Sequence, residues 1–146
     1  MRWMLLAIGV LVAGCPSSKT PPPACITVDT TCAPGYVPTF DNVWHNTLQP
    51  TCAQSASCHS ATGHMGNLDM SDEATAYSEL LAPATIDPKR ARVVPGDPAC
   101  SLMTVRTDSP GESYEMPPGA PLSEPERCAL VQWVKCNAPG PGEPCP

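Results

Sequence analysis

Four stretches of the chain carry helical periodicity, and nothing alternates with period two for long enough to predict a strand. Phe40, Val43, Trp44, Thr47 and Leu48 fall at i, i+3, i+4, i+7 and i+8, so the spacing predicts a helix over 40–49 with one apolar face. Pro50 is expected to end it, with Thr51 and Cys52 following at once. A second helix is predicted from Ser71 to about Leu81, with Ser71 as N-cap and Asp72 and Glu73 in its first turn. A short third helix is expected to start at Asp97 as N-cap with Pro98 in the first helical position, and to run to about Val105. The last is the best signalled. Ser123 and Glu126 are spaced as a capping box, Ala129, Leu130, Trp133 and Val134 supply the apolar stripe, and Asn137 with Pro139-Gly140 stops it.

The opening of the chain follows another pattern. Arg2 is a short positive end, and residues 3–13 form an uncharged apolar run of about eleven residues, too short to span ~30 Å of hydrocarbon as a helix. Leu11-Val12-Ala13-Gly14-Cys15 resembles the lipobox of bacterial lipoproteins. That resemblance implies a signal peptide over 1–14 and a lipid-carrying Cys15 as the first residue of the mature chain. Residues 15–24, rich in Pro and Ser, then read as a lipidated tether, anchored to the membrane through Cys15. Pro16 stands where an aspartate would signal inner-membrane retention, so the expected location is the outer membrane, facing the periplasm or the cell surface.

Composition changes the picture in two ways. Twenty prolines, ten glycines and only three Trp, three Tyr and one Phe leave little large apolar surface to bury, so the fold should lean on covalent staples. Nine cysteines in an exported chain supply them. Cys15 aside, eight remain, and the expected pairing is Cys25–Cys32 capping an entry segment at 25–38, Cys100–Cys128, and Cys136–Cys145 pinning a Pro/Gly tail at 139–146. Six cysteines allow 15 pairings. The net charge of −6 argues against nucleic acid as a partner.

Between the first two predicted helices stands Cys52-Ala53-Gln54-Ser55-Ala56-Ser57-Cys58-His59, and far downstream comes Met116-Pro117-Pro118-Gly119. With these residues the stretch 39–138 resembles the c-type cytochrome family, closest to the small cytochrome-like domains of bacterial lipoproteins. The resemblance implies a mainly α, class I cytochrome c-like domain, loop- and proline-rich and stapled by disulfides. It implies haem c bonded to Cys52 and Cys58, with His59 and Met116 as the axial iron ligands. Trp44, Leu48, Leu130 and Trp133 would wall the pocket where the first and last helices cross. The function implied is single-electron transfer with a redox partner protein at the cell envelope, an electron carrier and not an enzyme.

The spacing departs from the family pattern. Five residues separate the cysteines where the family has two, occasionally three or four, and Ser55 occupies the place of the first cysteine. Three outcomes stay open: both cysteines bond haem, Cys58 alone does, or the two form a disulfide in a haem-free structural or interaction lipoprotein on the same fold. Parity disfavours the second, which leaves an odd thiol. Of the other candidates, His64-Met65 offers an alternative axial or copper ligand against the plainer reading of a solvated loop. His45 faces away from the apolar stripe. Lys89, Arg90 and Arg92 read either as a solvated loop or as contacts to haem propionates or an acidic partner.

Overall fold

The computed structural model describes residues 20–86 and 88–145; the expectations for a signal peptide at 1–14 and a lipid at Cys15 lie outside them. The described chain is helical. It has one isolated bridge, between Pro83 and Ala91, and among the described residues no helix is long and apolar enough to cross a membrane. Four helices carry the fold: α1 over 40–52, α2 at Glu73–Leu81, α3 at Leu102–Thr107 and α4 at Glu124–Lys135.

Helix α1 does not stop at Pro50. It runs as α-helix over Phe40–Val43, as a π turn over Trp44–Leu48, and as α-helix again over Gln49–Cys52. Proline brings no N–H to the carbonyl four residues behind it. The helix absorbs that gap by widening one turn, and the Gln49 N–H reaches back five residues to the Trp44 carbonyl. The Thr51 hydroxyl donates to the Thr47 carbonyl within the same turn. The predicted apolar face is the buried one: Phe40, Val43, Trp44, Thr47 and Leu48 are all within 3% of fully buried.

Phe40 sits between the other helices. Its ring meets Tyr77 of α2 edge-on at 5.0 Å and Trp133 of α4 at 5.2 Å. α4 packs against both α1 and α3. Its capping box forms as read, the Ser123 N–H donating to the Glu126 carboxylate at 2.9 Å. Two helix starts move. Asp72, not Ser71, caps α2, accepting from the Thr75 N–H at 2.9 Å. Asp97 caps only a separate turn, accepting from the Cys100 N–H at 3.1 Å, and α3 begins at Leu102.

Three disulfides form, but two of the expected pairings are wrong. The bonds are Cys25–Cys100, Cys32–Cys128 and Cys136–Cys145; only the last was expected. Cys25 and Cys32 do not meet each other because the entry segment lies across the helices instead of closing on itself. The Ile26 N–H donates to Ala99 at 2.9 Å, the Gly35 N–H to Pro125 at 3.0 Å, and the Gln132 side chain to the Thr30 carbonyl at 2.8 Å. Each cysteine therefore bonds the body beneath it. The two long bridges close spans of 75 and 96 residues.

Candidate functional site

The segment after α1 closes into a compact loop that brings His59 back to Cys52. The His59 N–H donates to the Cys52 carbonyl at 3.0 Å, and its own carbonyl accepts from the Met70 N–H at 2.7 Å. Inside the loop the Cys58 N–H donates to Ser55 at 2.9 Å, and the Met65 N–H to the Cys58 carbonyl at 3.2 Å. Gly63 is required there: a Cβ at that position would collide with the carbonyl oxygens of Cys58 and Ala56. The long spacing between the cysteines is thus folded up, and Cys52 and His59 end as neighbours.

Both face a cavity of about 190 Å³ that opens to solvent. Leu48 and Cys52 of α1, His59 and Met70 of the following loop, and Leu80 of α2 form part of its wall. Leu102, Met103 and Arg106 come from α3, and Met116 and Leu122 from the segment before α4. The lining is mostly apolar, with a thiol, an imidazole and several thioethers set into it.

The His59 ring is held in one tautomer. Nδ1 lies 2.7 Å from the Met65 carbonyl oxygen, which accepts only, so Nδ1 carries the proton and the Nε2 lone pair is left available. Burial pushes His59 below its ordinary pKa, and the charges of Arg92 and Arg106 push the same way against backbone hydrogen bonding with Met65 and Leu68. The imidazole is therefore neutral at neutral pH, the form that binds metal. Cys52 and Cys58 are both unbridged. Burial raises the pKa of the Cys52 thiol, whose sulfur sits 3.6 Å from the Thr51 hydroxyl.

Arg92 is neither a loop solvated cation nor open to an acidic partner. It is 5% exposed and its guanidinium is committed: to the Glu79 carboxylate at 3.1 Å, the Glu79 carbonyl at 2.8 Å, and the carbonyls of Gly66 and Asn67 at 3.2 and 2.7 Å. It ties α2 to the turn that holds His59.

Of the predicted site residues, the structure brings Cys52, His59 and Met116 to one cavity. Cys58 is half-buried beside it and does not line it. Trp44, Leu130 and Trp133 belong to the core and not to the cavity wall, because the apolar face of α1 packs against α4; Leu48 alone of the four lines the site. His64 is exposed and pairs with Asp69 at 3.4 Å, while Met65, also exposed, lies at the cavity mouth. His45 is exposed, as read. Arg106 was missed. Its signal was helical spacing, since Leu102, Met103, Arg106 and Thr107 all line the cavity from one face of α3. No protein-family model, curated protein or solved structure matches the chain, and the site rests on its own residues.

Proposed function

We propose that the chain is a lipid-anchored, c-type cytochrome-like electron carrier of the cell envelope, with haem c in the cavity, Cys52 and Cys58 as its attachment thiols, and His59 and Met116 as its axial ligands. The observation that carries this reading is His59. It is neutral, fixed by the Met65 carbonyl, and presents a ligating nitrogen in an apolar cavity that a methionine and a cysteine also line.

The chemistry of the donor set fits. Among the described residues no three His, Cys, Asp or Glu side chains converge on one point, so a bare ion finds few strong donors. Haem brings four nitrogen donors of its own, asks the chain for two axial ones, and supplies a one-electron couple. The apolar wall and the His/Met pair both favour a high potential and leave no open coordination position. Six cysteines pair with one another and leave Cys52 and Cys58 as thiols, the count that double attachment needs.

The test is maturation in a host with haem-attachment machinery. A Soret band that survives acid–acetone extraction is expected, and is expected to be lost in the Cys52→Ser, Cys58→Ser double variant. A chain that never acquires haem there would instead be a disulfide-stapled structural or interaction module. The anchor is tested apart from the haem: Cys15→Ser should move the protein from the membrane fraction to the soluble one.

A further inference from the structure

Four arginines stand half or more buried around the helices, and two have carboxylate partners. Arg92 pairs with Glu79 at 3.1 Å and Arg127 with Asp108 at 3.0 Å. Arg106 pairs with none among the described residues; its one hydrogen bond is to the Tyr114 carbonyl at 3.2 Å. Its position is a seam. Arg106, Met116 and Pro88 line both the main cavity and a second space of about 260 Å³, which Thr20, Pro21 and Pro22 of the tether wall on one side.

A second cation stands close by. Arg90 donates through one nitrogen to the Pro23 carbonyl, while its Nε and Nη2 are buried without partners among the described residues. Glu115, a buried carboxylate beside the seam, accepts from the Gly111 N–H through one oxygen, has its other oxygen buried without a partner, and forms no ion pair among the described residues. Two partly shielded guanidinium groups held near enough to feel each other's charge repel, and an anion between them relieves that repulsion.

We infer that Arg106, backed by Arg90, is the anion-binding corner of the cavity, taking a carboxylate of the bound ligand and turning that edge of it toward the tether. This rests on the cavity holding an apolar ring system that carries carboxylates, as haem does with its propionates. Arg106 is then the residue that sets the ligand's orientation. A fork of N–H donors suits a carboxylate in a way a single ammonium does not.

The full chain, purified without haem attachment, is titrated with haemin and with haemin dimethyl ester, following the Soret band. The wild type should bind haemin more tightly than the ester. Arg106→Gln should weaken haemin about 10-fold or more and leave the ester unchanged, since a charged hydrogen bond is worth roughly that much. Arg106→Lys should recover part of the preference. Should Arg106→Gln fail to fold, the wild type's discrimination and the Lys variant still decide. Equal binding of haemin and ester by the wild type, or a preference that survives Arg106→Gln, overturns the inference and leaves the haem reading standing. Binding of neither porphyrin sinks both.

Discussion

His59 and Arg92 grip the same short turn: Nδ1 of His59 is 2.7 Å from the Met65 carbonyl oxygen, and Nη2 of Arg92 is 2.7 Å from that of Asn67. The turn contains three residues with positive φ, His64, Gly66 and Asn67, so it relies on such contacts to keep its shape. Arg92→Met removes the donors for three carbonyls and for Glu79, and should lower stability by about 2–4 kcal/mol. Arg92→Lys should restore only part, since it lacks the fork. Urea unfolding with an unchanged m-value measures this. A loss under about 1 kcal/mol would mean the turn is held by other contacts.

Axial ligation is checked on the holoprotein. Met116→Ala should abolish the weak far-red sulfur-to-iron band, lower the potential and open the iron to carbon monoxide, with haem still attached. His59→Ala should prevent stable incorporation. Met65, Met70 and Met103 also line the cavity, so a band that persists in Met116→Ala passes the role to one of them.

The disulfide scheme separates by size of effect. Closing 75- and 96-residue spans should stabilise by about 4–5 kcal/mol each in the chain-entropy relation, against about 3 for the short Cys136–Cys145 span. Paired Ala variants of Cys32 and Cys128 should therefore shift the denaturant midpoint more than paired variants of Cys136 and Cys145. Non-reducing peptide mapping that finds Cys25 joined to Cys32 refutes the connectivity outright.

The start of α2 gives a pH-dependent effect of known sign. Hydrogen bonds from the Thr75 side chain and backbone hold the Asp72 carboxyl below its ordinary 3.8. Its contribution is present in full above that value, and is lost as pH falls through the lower folded value. Asp72→Ala should lower the urea midpoint at pH 7, and the gap from wild type should close in acid. Asp72→Asn keeps an acceptor at the cap and should flatten that pH dependence. A gap that stays constant in acid assigns the effect to something other than the carboxylate.

What was legible in the sequence was what depends on near neighbours. The capping box of α4 and the apolar face of α1 are codes read within one or two turns, and both stand as read. Cys52, His59 and Met116 stand out in the sequence and share a cavity, whereas Cys58, equally plain in the sequence, does not line it. The disulfide partners were illegible because pairing follows the path of the entry segment across α3 and α4, which no local spacing encodes. Asp97-Pro98 resembled a helix start and makes only a turn, because the Ser101 hydroxyl donates to the Asp97 carbonyl at 2.8 Å and ties that turn to itself. Arg106 was hidden because an arginine on a short helix looks solvated until its missing carboxylate is noticed.

The π turn in α1 has one more consequence, a matter of rotational phase. An α-helix advances about 100° per residue, and a π turn takes up one residue without that advance. Gln49–Cys52 therefore trails by about 100° the setting that unbroken α winding of the same residues would reach. Pro50→Ala, by restoring the N–H, would permit that winding and swing Cys52 off the cavity wall. The chain is correspondingly uneven in its tolerance of lost residues. One can be dropped from the π turn with the thiol still in phase once Pro50 is also replaced by Ala, but none between the turn and Cys52.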